Sequence, residues 1–289
     1  MTFDRASVEG IDPWFRWVGG KRWLLGRISN LIPREVTLWV EDFFGGGSVY
    51  LGLAPGCPAE LSDGNRHLVD AWIGLKEDWE AVAVVADRWR LQHEQDPVNT
   101  WKRAKLGYLD YSTKHGGGPT EAAGWFCYAQ QVAINGLYRM NRSRELNAAL
   151  GKDSKTGIPH QVVVDRPHLR KVHRALARAE LRWLPIDSTN IHALSDHGPG
   201  TVIIEDPPYL GTFNNYTHLR FEEADHILLE QYLRRQAEND ATVIVSNSVD
   251  ALDLYRGPFW SHEIVNRKGT MSAGKDRKAV GEALIWRKP

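Results

Sequence analysis

Thr201-Val202-Ile203-Ile204-Glu205-Asp206-Pro207-Pro208-Tyr209 is the stretch on which the fold of this chain turns. A β-branched apolar run closed by two prolines reads as a buried strand that stops abruptly, because proline has no amide donor for the ladder. The stop leaves a carboxylate, two carbonyls and an aromatic ring at the carboxyl end of the strand. In open α/β sheets that end is where ligands bind. A carboxylate and a carbonyl can accept both protons of a planar exocyclic amine while the tyrosine ring stacks on its heterocycle. Asp-Pro is also a common turn starter, and a tyrosine after prolines can simply cover the rim of a sheet.

Upstream, Leu38-Trp39-Val40-Glu41-Asp42 reads as a first buried strand, ended by Phe43-Phe44-Gly45-Gly46-Gly47-Ser48. Consecutive glycines between strand and helix permit positive φ and close backbone approach to a ligand. The spacing predicts a helix from near Ser48, with its hydroxyl as cap. Ala59–Asp63 reads as a second strand closed by Asp63-Gly64-Asn65. An acid some 20 residues after such a turn is placed to accept ribose hydroxyls; Asp63 follows Gly45 by 18. From Leu68, a helical stripe runs through Trp72, Leu75, Trp79, Val82, Ala86 and Trp89, and Asp96-Pro97 ends it. Residues 98–160 show no strand–helix alternation, apart from one apolar helical stretch near 122–134, and read as a helical insertion with loops.

Downstream, the alternation resumes. Arg166–Glu180 is expected to be a basic amphipathic helix, and Leu181–Ile186 a strand ending at Asp187. Phe221, Ala224, Leu228 and Tyr232 mark a helix after the tetrad. Thr242–Ser246 is another strand, and His262–Val265 with Ala283–Trp286 a terminal pair. About seven strands interleaved with helices specify an α/β fold on a mainly parallel sheet.

Composition narrows the class. The 289 residues include 36 basic and 36 acidic side chains, so net charge does not announce a nucleic-acid binder. The clusters Arg139/Arg142/Arg144, Arg166/Arg170/Lys171/Arg174/Arg178 and Lys275/Arg277/Lys278 can make local electrostatic footprints. Solvated helix faces make similar runs. No 18-residue apolar span and no signal-peptide layout are present, so the expected setting is the cytoplasm, away from membranes. Cys57 and Cys127 suggest neither a disulfide framework nor a cysteine metal site.

The strand ends therefore carry, in order, a glycine turn, Asp63, Asp187 and Asp206. Separate acids on neighbouring strand ends suit a nucleoside. The turn lacks the spacing of a phosphate-binding loop, and Phe43-Phe44 beside it favours an uncharged cofactor part. S-adenosylmethionine meets these demands, with an NAD-type site as the structural competitor.

Several segments taken together resemble a known family. Trp17-Val18-Gly19-Gly20-Lys21 is similar to a W-x-G-G-K segment, and Glu41–Val49 to an E-P-F-x-G-x-G-S-V loop. Asp63-Gly64-Asn65 is similar to D-x-N, and Val245-Ser246-Asn247 and Val280–Ile285 to two late strand motifs. With Asp206–Tyr209 in its place in the order, the chain resembles the Dam-like, D12-type DNA adenine-N6 methyltransferases over nearly its whole length.

The resemblance implies a Rossmann-like, seven-stranded methyltransferase sheet with an inserted, mainly helical DNA-recognition domain. Residues 1–66 plus 161–289 would form the catalytic domain and 67–160 the target-recognition domain. It implies S-adenosylmethionine as methyl donor and no metal. Trp17, Gly20 and Lys21 would line the cofactor's methionine end, and Glu41, Phe43, Gly45, Gly47 and Ser48 its loop. Asp63 would bind ribose, Asp187 adenine, and Asp206 would border both cofactor and base. Asp206, Pro207, Pro208 and Tyr209 would be catalytic on an adenine flipped out of double-stranded DNA.

Asn135-Gly136-Leu137-Tyr138-Arg139-Met140-Asn141 resembles the family's N-G-L-x-R-x-N signature. Arg139 would then reach a base edge, arginine being the natural bidentate partner of guanine. Ile134, Asn135, Leu137, Asn141 and Arg144 would share the DNA-facing segment. The chain departs from the pattern at Ile134, where the family usually has an aromatic, at Arg144 in place of a glycine, and at Ala149 in place of a proline. These changes put the GATC target common in the family in question. A monomer is the default, and the resemblance admits a cognate restriction endonuclease as partner in a restriction-modification pair. The competing functions are cytosine-N4 methylation, whose amine the same tetrad would hold, and a DNA-binding relative without turnover.

Overall fold

The structure, a computed structural model, describes residues 3, 10–114, 118–138, 146–187, 189–210, 221–268 and 279–287. Arg139, Asn141, Arg142, Arg144, Lys275, Arg277 and Lys278 lie outside the described residues.

Seven strands form one sheet: β1 (Leu38–Glu41), β2 (Ala59–Asp63), β3 (Ala179–Trp183), β4 (Thr201–Glu205), β5 (Thr242–Ser248), β6 (Ser261–Lys268) and β7 (Ala279–Arg287). Their order is β3-β2-β1-β4-β5-β7-β6. The first five run parallel, and β7 is inserted antiparallel between β5 and β6. Both faces of the central strands are covered, which is why they read as continuous apolar runs. Alternate side chains still part to opposite faces. Trp39, Val202, Ile204, Ile244 and Leu284 point into one core; Val40, Ile203, Val243, Val245 and Ile285 point into the other.

The first core is covered by α1 (Leu25–Leu31), α2 (Ser48–Leu53), α3 (Arg66–Glu77) and α7 (Arg166–Ala175). The second is covered by α8 (Glu223–Glu238) and by loops bearing Ile191, Leu194, Tyr255 and Trp260. β1 and β4 are neighbours, yet the chain leaves them toward opposite edges of the sheet. The crevice at that reversal is where an open α/β sheet accepts a ligand. The glycine turn and the Asp206 tetrad leave from these two strands.

Three local expectations change. The stripe from Leu68 to Trp89 belongs to two helices, α3 and α4 (Trp79–Gln95), broken at Asp78. Its carboxylate accepts the Ala81 N–H at 2.9 Å, capping α4 where α3 stops. Residues 98–160 hold two long helices, α5 (Pro97–Lys114) and α6 (Gly118–Val132). In α6, residues 122–130 are all buried, so no polar face marks its period. The helix expected over Arg166–Glu180 ends at Ala175, because Ala179 and Glu180 are drawn into parallel pairing with Ala59 and Glu60.

The helices of 67–160 do not stand off from the sheet. Leu68, Trp72, Phe126 and Tyr128 share one apolar cluster with Trp39 and Leu61. The α3–α6 crossing is close: a Cβ on Gly74 would lie 2.2 Å from the Pro119 carbonyl oxygen.

Candidate active site

The glycine turn is held from three sides. Gly45 and Gly47 adopt left-handed φ values of +50° and +66°, which only glycine takes without strain. The Gly45 N–H donates to Asp63 Oδ2 at 2.8 Å, and the Trp72 indole N–H donates to the Gly45 carbonyl at 2.9 Å. Trp17 closes the third side: a Cβ on Gly46 would meet its Cβ at 2.6 Å. Asp63 also accepts the Asn65 N–H at 2.8 Å through Oδ1, so it braces both turns. Burial nevertheless raises its carboxyl to about 6.

Ser48 does not cap α2. Gly47 is the capping residue, without a side chain, and the Ser48 hydroxyl instead accepts the Lys21 N–H at 2.9 Å. A hydroxyl at the first helical position projects sideways, toward the N-terminal segment. Glu41 serves α2 from the end of β1, accepting the Tyr50 N–H and, at 2.8 Å, the Trp39 indole N–H. Its burial pushes the carboxyl up to about 8.

Lys21 joins these parts to the tetrad. Its ammonium is buried; it donates to Asp206 Oδ2 at 2.6 Å and to the Gly19 carbonyl at 2.7 Å. It lies 5.1 Å from the centre of the Tyr209 ring. Burial raises the Asp206 carboxyl to about 6, against the opposing pull of Lys21. Asp206 Oδ1 is buried without a hydrogen-bond partner among the described residues, although 28 % of the side chain stays open. Burial, then the Asp206 and Glu282 charges, push the Tyr209 phenol up, so it stays protonated.

The loop after β4 is anchored elsewhere too. Asn247 Oδ1 accepts the Leu210 N–H at 3.3 Å and the Ser248 N–H at 2.7 Å. His226 on α8 bonds to the Pro208 carbonyl. Burial lowers its ring to about 4, so the ring is neutral and donates. On the opposite face, Asp42 and Glu205 form a buried carboxyl pair, each raised first by burial, with Ser62 donating to Asp42 at 2.9 Å.

Asp187 stands beyond β3, on the same edge of the sheet as Asp63. Its carboxylate accepts the Thr189 hydroxyl at 2.6 Å and the Thr189 N–H at 2.8 Å, the hydroxyl contributing most to a lowered pKa. Phe43 meets Phe221 edge-on at 5.4 Å, whereas Phe44 is buried against Trp72. Gly20 is exposed next to Ser48.

At the end of α6 the chain makes a tight turn, Ile134–Gly136. Asn135 and Gly136 have φ of +55° and +65°. Ile134 is 44 % exposed at the tip and Leu137 is half-buried. Tyr138 turns inward, stacked on Phe126 at 5.5 Å and 5.3 Å from Trp17. The indole against the glycine turn thus also touches the segment that leads into Arg139.

Sequence reasoning missed Glu282, Ser246 and His226 as neighbours of the tetrad. Glu282 had a signal: it is the one acid in the otherwise apolar run Ala279–Trp286, and a lone buried charge calls for a partner. Ser246 lies in the Val245-Ser246-Asn247 segment already matched to a late strand motif, but that likeness did not say which side chain it would meet, and His226 had no local signal.

Known proteins are similar to this chain in sequence. The profile of the D12 class N6 adenine-specific DNA methyltransferases matches residues 17–272. The chain is 25 % identical over 293 residues to the type II methyltransferase M1.LlaDCHI of Lactococcus lactis subsp. cremoris, covering 99 % of this chain and 98 % of that one. It is 23 % identical over 295 residues to the type II methyltransferase M.MjaIII of Methanocaldococcus jannaschii, covering 95 % and 98 %. It is 28 % identical over 283 residues to the retron Ec67 DNA adenine methylase of Escherichia coli, covering 94 % and 92 %. A sheet reversal carrying a glycine turn on one strand and Asp-Pro-Pro-Tyr on the next, matched over most of its length, places the chain in the D12 class of N6 adenine-specific DNA methyltransferases.

Proposed function

We propose that Asp206, Pro207, Pro208 and Tyr209 hold an adenine flipped out of double-stranded DNA, and that the glycine turn beside them holds S-adenosylmethionine. The observation that carries this reading is Asp206 Oδ1, a buried acceptor with no partner among the described residues, beside Tyr209 at the sheet reversal. Buried polar atoms are normally satisfied, and an exocyclic amine would satisfy this one.

The residues present fit the cofactor. The side of the turn on which side chains would stand is taken by Trp17, Phe44 and Trp72, and what suits a nucleoside cofactor is the run of acids at successive strand ends beside it. Trp17, Gly20 and Lys21 would hold the methionine end, with Glu41, Phe43, Gly45, Gly47 and Ser48 around the turn. Asp63 would hold ribose and Asp187 adenine. When bound, the cofactor would supply an electrophilic methyl on sulfur, whose C–S bond would break as the N6 lone pair formed the new N–C bond.

The protein's own part is to make a poor nucleophile adequate. The N6 lone pair is delocalised into the purine ring. Asp206 and the Pro207 carbonyl accept its two hydrogens and draw the nitrogen toward tetrahedral geometry, while Tyr209 stacks on the ring. The Pro208 carbonyl is already engaged by His226. After transfer the surplus N6 proton passes to Asp206, and from there to water. The acceleration comes from positioning and fixed charges.

Residues 67–160 would carry target recognition, with Ile134, Asn135, Leu137, Arg139, Asn141 and Arg144 on the DNA. The exposed Ile134 tip and the left-handed Asn135 support that reading. All parts of the site lie on one chain, which supports a monomer as the active unit. Among the described residues no helix is long and apolar enough to cross a membrane, in keeping with action on cytoplasmic DNA. Two relatives named type II methyltransferases support a cognate endonuclease as partner.

Transfer of labelled methyl to unmethylated DNA, followed by base analysis and mapping of modified positions, tests the reaction. N6-methyladenine at a defined sequence is expected; N4-methylcytosine would overturn the assignment. Arg139→Ala should relax selectivity at one position of the mapped site, costing about 1–3 kcal/mol of discrimination. Uniformly weaker binding to every sequence would instead mark Arg139 as a phosphate contact.

A further inference from the structure

Glu282 is a carboxylate in an unfavourable place. It sits on β7 between half-buried Gly281 and buried Ala283, Leu284 and Ile285, with its own side chain only 11 % exposed. Isolated charges do not persist in such surroundings unless other groups compensate them. Two do so here. The Ser246 hydroxyl on β5 donates to Glu282 Oε1, the Lys21 ammonium stands 3.8 Å from the same oxygen, and the Tyr209 phenol lies beside the carboxylate, whose charge helps push its pKa up. Strand alternation puts Ser246 and Glu282 on the face of the sheet that also carries Lys21 and Asp206.

The arrangement does more than satisfy Glu282. An ammonium has three donors; Lys21 commits one to the Gly19 carbonyl and one to Asp206, and its remaining side faces Glu282. Two carboxylates thus share one cation, at 2.6 and 3.8 Å. When Asp206 turns toward an incoming amine, Lys21 keeps a counter-charge. Lys21, held by Glu282, meanwhile lies 5.1 Å from the centre of the Tyr209 ring on which a base would stack. A purely structural acid would need only some nearby cation; the one that compensates Glu282 is Lys21, which also holds Asp206 and lies over the Tyr209 ring.

We propose that Glu282 is a positioning residue for methyl transfer, holding the Lys21 ammonium against Tyr209 so that the ring and the Asp206 carboxylate address the same base. The role rests on the assignment of Asp206 and Tyr209 as the base-holding group. Ser246 fixes the rotamer of Glu282 and belongs to the same device.

Glu282→Gln keeps the size of the side chain and removes its charge. Its single-turnover rate should fall about 10- to 100-fold, the scale of a misplaced reactant, while KM for DNA and calorimetric cofactor affinity stay near wild type. With 2-aminopurine at the mapped target position, the fluorescence of the bound complex should differ from wild type, reporting altered stacking on Tyr209. Tyr209→Phe should lose rate as well, and the double variant should be little worse than the poorer single one, because the two act as a unit. A wild-type rate in Glu282→Gln, or losses that simply multiply in the double variant, would overturn the role. Should melting show that Glu282→Gln does not fold, Ser246→Ala carries the test: a similar rate loss supports the device, and an unchanged rate overturns it. Asp206→Ala measured alongside separates the two levels. Retained turnover there defeats the base-holding assignment itself, whereas lost turnover there beside a wild-type rate in Glu282→Gln defeats only the role of Glu282.

Discussion

Asp206→Ala should lower the methyl-transfer rate by at least two orders of magnitude while S-adenosylmethionine still binds in part. A single charge-assisted hydrogen bond contributes about 1.5–3 kcal/mol, or roughly 10- to 150-fold in rate. The variant also strips the buried Lys21 ammonium of its 2.6 Å partner and leaves it Glu282 at 3.8 Å. The same carboxylate sets the pH dependence. Its pKa is raised to about 6 by burial, with Lys21 pulling it down and Glu282 pushing it up. The ionised form is the stronger acceptor and the only one that can take up the surplus N6 proton, so wild-type kcat/KM should fall about tenfold per pH unit below roughly 6 and level off above it. The stability linkage runs the other way. A carboxyl whose folded pKa is raised contributes stability below its ordinary value of 3.8 and loses that contribution as pH rises through about 6. Activity should therefore grow across the window in which this contribution to stability fades, which rate profiles recorded with melting temperatures would reveal. Unchanged turnover in the variant, or a wild-type acid limb near pH 4, would remove Asp206 from the chemistry.

Gly47→Ala should destabilise the fold and weaken cofactor binding together. The residue sits at φ +66°, where a side chain costs about 1–2 kcal/mol. Its Cβ would also lie 2.8 Å from Phe44 Cζ and 3.1 Å from Trp72 Cζ2, an overpacking worth about 1–3 kcal/mol. The two costs sum to about 2–5 kcal/mol. Neither ring can retreat without loss, since Phe44 is buried and Trp72 holds the Gly45 carbonyl. Urea denaturation and calorimetric titration with S-adenosylmethionine measure the two effects. Gly26→Ala is the matched control: a Cβ there meets nothing within 4 Å, and stability should hold or rise slightly. Equal behaviour of the two variants would show that the turn does not need its glycine.

Much of the fold was legible because its signals are local. The runs around Val40, Ile203 and Val243 are apolar enough to read as buried strands, and the prolines after Asp206 mark where one of them stops. The helices were less legible. Asp78 breaks a stripe whose apolar spacing continues through it, and α6 is buried all round, so it shows no amphipathic period. Ser48 was misjudged because a residue at a helix start can turn its hydroxyl to a distant chain segment as readily as to its own turn.

The class of sheet, the order of its motifs and the family resemblance that the profile match then bore out were all readable along the chain, because strand runs, glycine turns and proline stops act on their immediate neighbours. Tertiary structure alone decided which acids stand together. Glu41 and Asp206 share one face of the sheet while Asp42 and Glu205 pair on the other, since side chains alternate along a strand and only the pairing register aligns them across strands. It also joined Lys21 to Asp206 across 185 positions and brought Glu282 beside both. A buried ammonium takes its partners from space and not from sequence, and that is how the tetrad acquired its second carboxylate.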